Sequence, residues 1–132
     1  MTRILVIEDE RQIREVLKQI LEKSDYEVEL AEDGRRGLEL FRKHPADIVI
    51  TDIIMPNKDG LETIEELISQ NPHLPIIAIS GGAPGQKAQF ALDVAKMCGA
   101  IRVLAKPFSR KEMLEAVTDL LSDVKANDHS GS

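Results

Sequence analysis

Aromatic residues are nearly missing from this chain. Its 132 residues include three Phe, one Tyr and no Trp. That leaves no platform on which single-stranded nucleic-acid bases could stack. A lone cysteine, Cys98, excludes an intrachain disulfide scaffold and fits a reducing compartment. Basic residues are outnumbered, 17 Lys and Arg against 23 Asp and Glu, for a formal net charge of −6. Nothing in that balance draws the chain toward a phosphate backbone. No apolar run approaches the roughly 18 residues of a membrane span. The first apolar stretch is short and meets Glu8, Asp9 and Glu10, so it reads as a strand and not as a secretory leader. The expectation is a cytoplasmic protein with no membrane and no direct nucleic-acid partner.

Apolar residues make up 42% of the chain, enough for the core of one domain. Two kinds of segment alternate. Ile4-Leu5-Val6-Ile7, Ile48-Val49-Ile50, Ile76-Ile77-Ala78-Ile79 and Arg102-Val103-Leu104-Ala105 read as strands, the first buried on both faces and the second also buried. Val28 and Leu30 alternate with Glu27 and Glu29, as in a half-buried edge strand. Between the strands the apolar period becomes helical. Ile13, Val16, Leu17, Ile20 and Leu21 form one stripe, and Leu61, Ile64, Leu67 and Ile68 another. Asp33 can cap a helix carrying Leu38 and Phe41, although Gly34 and Gly37 weigh against it. A further helix is expected over 86–97. Ser109-x-x-Glu112 is a capping box opening a last helix with Met113, Leu114, Val117, Leu120 and Leu121. Residues 1–124 then form one domain, and 125–132 a polar, disordered tail.

Five βα units imply a parallel sheet with helices on both faces; by analogy with known five-stranded doubly wound folds, the flavodoxin-like order 2-1-3-4-5 is favoured. Ligands of such α/β sheets bind beyond the carboxyl ends of the strands. Those ends carry Glu8-Asp9, Thr51-Asp52, Ser80 and Lys106-Pro107. Three carboxylates, a hydroxyl and an ammonium would converge on one rim. Crowded carboxylates repel, and a hard divalent cation such as Mg²⁺ relieves that repulsion. Lys106 and Ser80 suit phosphoryl oxygens, and Gly81 and Gly82 leave room for a phosphate near the backbone. Taken singly, Asp9 or Glu10 could be helix caps, Ser80 a turn residue and Lys106 a solvated loop residue. Asp52, directly after a buried strand, has no capping or core role. His44, His73 and His129 are far apart and read as surface residues.

These residues resemble the bacterial response-regulator receiver domain. The motifs are Glu8-Asp9, Thr51-Asp52-Ile53-Ile54-Met55-Pro56 leading to Asp59-Gly60, Ser80-Gly81, and Lys106-Pro107-Phe108, spread over roughly residues 2–122. The resemblance implies that Asp52 is the phosphoacceptor, taking phosphate from a sensor histidine kinase or a histidine phosphotransfer protein. It implies direct Mg²⁺ ligation by Asp9, Asp52 and the backbone carbonyl of Ile54, with Glu8 on a metal-bound water and Mn²⁺ able to substitute. Lys106 and Ser80 would bind phosphoryl oxygens, with Gly81 beside Ser80, and the Lys106-Pro107 bond would be cis. Such a domain catalyses only its own phosphorylation and dephosphorylation. It switches contacts with a downstream effector protein or with an output domain of a longer protein. An aspartyl-nucleophile phosphatase would need a second Asp where Ile54 stands. A flavodoxin-like small-ligand-binding protein could use the 81–85 glycine loop but has little aromatic surface for a flavin.

Two departures from the family pattern stand out. Val103 occupies the strand position where receivers often carry an aromatic switch, so switching is expected in the 81–87 loop and the helix after it. The interval from Ser80 to Lys106 is also a few residues longer than usual.

The phosphorylated state should be long-lived. In receivers the positions two after the phosphoacceptor and two after the hydroxyl residue flank the hydrolytic water. Here they are Ile54 and Gly82, and neither side chain can orient a water. General acid–base assistance is worth about 10²-fold or more, and a water-positioning contact less. After loading with phosphoramidate and removal of the donor, Ile54→Asn or Gly82→Glu should speed phosphate release several-fold. A wild-type half-life of seconds, unchanged in both variants, would contradict this reading.

Overall fold

Side-chain alternation divides the strands between two cores. Ile4 and Val6 of the first strand point to one face of the sheet, and Leu5 and Ile7 to the other. A computed structural model describes residues 1–53, 60–80 and 102–130, the side chains of 123–130 excepted. The elements are β1 (Arg3–Ile7), α1 (Arg11–Lys23), β2 (Glu27–Ala31), α2 (Gly34–Lys43), β3 (Ile48–Asp52), α3 (Gly60–Gln70), β4 (Ile76–Ser80), β5 (Arg102–Ala105) and α4 (Arg110–Ser130). All strand pairs are parallel, in the order β2-β1-β3-β4-β5. This is the flavodoxin-like doubly wound order favoured for five βα units. The expected helix over 86–97, Ile54, Gly81 and Gly82 lie outside the described residues.

One core packs α1 and α4 against the sheet: Leu17, Leu21, Met113, Val117 and Leu120 meet Ile4, Val6, Ile48, Ile50, Ile77 and Ile79. The other packs α2 and α3: Leu38, Phe41, Ile64 and Leu67 meet Leu5, Ile7, Val49, Ile76 and Ala78. Full burial of one such side chain is worth roughly 1.5–3 kcal/mol. Covering both faces explains why β1, β3 and β4 are continuous apolar runs. β2 and β5 sit at the two edges, with exposed Glu27, Arg102 and Ala105.

The local signals act as expected at two helix starts. Asp33 Oδ1 accepts from the Arg36 amide at 2.8 Å, capping α2. Ser109 and Glu112 exchange their capping-box hydrogen bonds, both 3.0 Å long. The glycines of α2 have a packing reason. A Cβ at Gly37 would run into the Ile7 side chain, 2.7 Å from its Cγ1. Glycine lets this helix lie close against β1.

Two expectations differ from what forms. Val16 is 50% exposed, because α1 faces the sheet along the Leu17–Leu21 line and Val16 falls beyond its edge. The backbone of residues 125–130, read as a polar tail, continues α4. No Gly or Pro interrupts the helix before Gly131. Among the described residues, no helix is long and apolar enough to cross a membrane.

The register levels the carboxyl ends of the strands. Ile7 pairs with Thr51, Asp52 with Ile79, and Ser80 with Ala105. Backbone bonds carry the ladder further: Glu8 N donates to Ala31 O, Ile53 N to Ile79 O and Lys106 N to Ser80 O, at 3.0, 2.9 and 2.7 Å. Each residue that follows these strands is therefore tied by its amide to the neighbouring strand end.

Candidate functional site

Strand parity chooses which strand-end side chains meet. Asp52 follows Ile48 and Ile50 on the α1 side of the sheet, and Glu8 follows Ile4 and Val6 there. Lys106 continues the parity of Leu104, which packs on the same side. Ser80 has the parity of Ile76 and Ala78, both of which pack in the core on the α2–α3 side. Glu8, Asp52 and Lys106 accordingly come together. Lys106 Nζ donates to Glu8 Oε1 at 2.8 Å and to Asp52 Oδ2 at 3.0 Å. The Lys106-Pro107 peptide is cis, as the resemblance implies.

All three groups are drawn out of water. Glu8 is fully buried, Asp52 is 4% exposed, and the Lys106 side chain is 13% exposed. Burial pushes the Glu8 carboxyl up to about 8; the Lys106 hydrogen bond opposes that rise and the Asp52 charge adds to it. Asp9 is also raised, by burial first and then by Asp52. Burial alone would lower the Lys106 ammonium. Its hydrogen bonds to Glu8 and Asp52 outweigh that, and the net shift is upward. The site is thus a fixed cation among more carboxyl groups than it can neutralise.

Two buried polar atoms have no hydrogen-bond partner among the described residues: Glu8 Oε2 and Ser80 Oγ. Orphaned buried oxygens carry a desolvation penalty of about 1–3 kcal/mol each unless a ligand or ion meets them. Carboxylate oxygens of Glu8, Asp9 and Glu10 lie within 4.8 Å of one another. Hard oxygen donors in an anionic pocket fit Mg²⁺ rather than a soft metal. The capping role open to Glu10 is not taken: it stands at the N-cap position of α1 without a side-chain cap bond. Instead its carboxylate faces Lys106 at 3.5 Å, a contact screened by solvent because Glu10 is 61% exposed. His44 and His73 are exposed, as expected.

Asp52 is also positioned from below. Gly60, which opens α3, donates its amide to Ile53 O at 3.0 Å. A Cβ there would press on the Asp52 carbonyl oxygen and come within 2.6 Å of Ile53 Cα. Only glycine allows α3 to start this close to the end of β3. Val103 is half-buried against the α2–α3 core, with no aromatic at that position.

Sequence reasoning missed Arg14. Its Nη1 donates to the backbone carbonyls of Glu8, at 2.8 Å, and Asp9, at 3.0 Å. The available signal was a cation one helical turn beyond an acidic loop, set beside the apolar stripe of α1.

Comparison with known proteins agrees with this geometry. The model of the response regulator receiver domain matches residues 4–118. The response regulator MprA of Mycolicibacterium vanbaalenii is 37% identical over 129 residues, which cover 98% of this chain and 54% of the relative. MprA of Mycobacterium leprae is 35% identical over 130 residues, covering 98% of this chain and 55% of the relative. The chain spans about half the length of these curated relatives. Among solved structures, a response regulator receiver domain protein from Clostridium thermocellum superposes with a TM-score of 0.86 at 29% identity, over 96% of this chain and 98% of its own. NtrX from Brucella abortus superposes with a TM-score of 0.90 at 27% identity, over 99% of this chain and 29% of its own. A five-stranded sheet in this order, an acidic pocket closed by one lysine, and a family match across nearly the whole chain lead to one conclusion: the protein belongs to the response regulator receiver domain family.

Proposed function

We propose that Asp52 accepts a phosphoryl group from the phosphohistidine of a sensor kinase or phosphotransfer protein. The observation that carries this reading is the Lys106 ammonium held on Asp52 and Glu8 in a buried pocket. An Asp52 oxygen attacks phosphorus as the P–N bond to histidine breaks, and the imidazole leaves with a proton. Lys106 and Ser80 are donors for phosphoryl oxygens, the charge stabilisation on which phosphoryl transfer depends. Asp9, Asp52 and the Ile54 carbonyl would hold Mg²⁺ or Mn²⁺ directly, and Glu8 through a water. The ion, when bound, would supply positive charge that offsets the carboxylates and the phosphoryl group. The unpartnered Glu8 Oε2 supports that assignment.

On this reading the domain, taken as residues 1–124, turns over no external substrate. It catalyses its own phosphorylation and dephosphorylation, and the phosphorylated form switches binding to an effector protein or to an output domain. With MprA about twice the length of the match, either arrangement is compatible. A cytoplasmic location fits the same reading. Incubation with acetyl phosphate should add one phosphoryl group to the intact mass with Mg²⁺ and none with EDTA, and Asp52→Asn should gain none. Full labelling of Asp52→Asn would overturn the assignment.

The Glu8 carboxyl generates a second prediction. Folded, it holds its proton up to about pH 8; unfolded, it releases it near the ordinary value of 4.5. Between those values the folded state binds more protons, so Glu8's contribution to stability is full below pH 4.5 and is lost as pH rises through 8. In metal-free buffer, urea unfolding between pH 5 and about 8 should show wild type losing stability with rising pH relative to Glu8→Gln. Binding of Mg²⁺ should release protons below pH 8, because the ion competes with the Glu8 proton. Calorimetry in buffers of different ionisation enthalpy would measure this. Parallel pH profiles for the two proteins, with no proton release, would contradict the prediction.

A further inference from the structure

The loop that carries Glu8 and Asp9 turns the chain from β1 into α1. Its amide at Glu8 is tied to Ala31 O, and the Glu10 carbonyl accepts from the Arg14 amide at 3.0 Å in the first turn of α1. The carbonyls of Glu8 and Asp9 lie past the last residue of β1 and before the helix. One guanidinium nitrogen, Arg14 Nη1, takes both. Arg14 is half-buried, so these contacts are partly shielded from water. Two main-chain oxygens held by one rigid group restrict the peptide planes on either side of Asp9, and thereby the directions of the Glu8 and Asp9 side chains.

We infer that Arg14 is a positioning residue for the metal-binding loop, acting on the Glu8 and Asp9 backbone to set the two carboxylates for a divalent cation. This rests on the metal reading given above. Two physical effects of the guanidinium oppose each other. Its charge beside an acidic pocket disfavours a second cation, whereas its hold on the loop favours one. The contacts decide between them: Arg14 Nη1 bonds carbonyls at 2.8 and 3.0 Å, and no ion pair joins Arg14 to a carboxylate among the described residues. The positional effect should therefore dominate. Groups that orient metal ligands from the next layer out are typically worth about 10–100-fold in affinity.

The experiment follows amide shifts of the full chain by NMR during titration with MgCl₂, for wild type, Arg14→Met and Arg14→Lys. Methionine keeps the apolar stem and removes donors and charge; lysine restores the charge and a donor. Arg14→Met should bind Mg²⁺ at least about tenfold more weakly, with Arg14→Lys between it and wild type. In the metal-free proteins, exchange of the Glu8 amide should quicken in Arg14→Met while the Leu5 and Val6 amides keep their rates. Should the methionine variant fail to fold, Arg14→Gln is read in its place against the same outcomes. Binding by the uncharged variant as tight as wild type, or tighter, would overturn the inference, since loss of charge alone strengthens cation binding. If wild type itself bound no Mg²⁺, the metal reading would fail, and the exchange rates would still decide whether Arg14 holds the loop.

Discussion

The contact on which the site depends is one ammonium shared by two buried carboxyl groups. Lys106 comes from the end of β5, Glu8 from the end of β1 and Asp52 from the end of β3. In the sheet order these strands are not all adjacent; β4 lies between β3 and β5. The long lysine stem crosses that gap. Buried ion pairs are weak sources of stability, because desolvation consumes most of the attraction. Removing one member costs more, typically about 3–5 kcal/mol, because a charge is left without its partner. The arrangement therefore makes functional sense more readily than structural sense. It keeps the Asp52 carboxyl desolvated, oriented and next to a cation, as the proposed acceptor role requires.

Everything beneath that contact is a matter of register. Parallel pairing without a slip places Thr51, Asp52 and Ser80 level with their neighbours, and the continuous apolar runs of β1, β3 and β4 enforce it from both faces. A slip of one residue in β3 would move Asp52 to the opposite face and bring Thr51 toward Lys106. Gly37 and Gly60 permit the close approach of α2 to β1 and of α3 to the Asp52 strand end. Core packing and the placement of the Asp52 carboxyl are in this sense the same constraint.

Much of this is legible in the sequence because strong local signals agree with the global fold. Alternating βα periods predict a parallel sheet covered on both faces, and the residues at the strand ends single out Asp52 and Lys106 as candidates. Less legible is what depends on angles around a helix or on backbone acceptors. Val16 has the spacing of a buried residue, yet it lies too far around α1 from the Leu17–Leu21 line. Arg14 reads as one more surface cation, because its partners are carbonyls that carry no residue signature. Glu10 reads as a helix cap by position, whereas its carboxylate answers the field of Lys106, a residue far away in the chain. The polar end of α4 has no apolar stripe to announce a helix, only the lack of a breaker before Gly131.

The central claim is that Lys106 holds the acceptor for phosphate and hands its hydrogen bond over when phosphate arrives. A crystal structure with Mg²⁺ and beryllofluoride, which mimics the phosphoryl group, tests it most directly. The account predicts beryllium bonded to an Asp52 oxygen, with Lys106 Nζ at about 3 Å from a fluoride and withdrawn from Glu8 Oε1. Beryllofluoride seated elsewhere, or bonded to Asp52 with Lys106 still on Glu8 and no fluoride in reach, would contradict it.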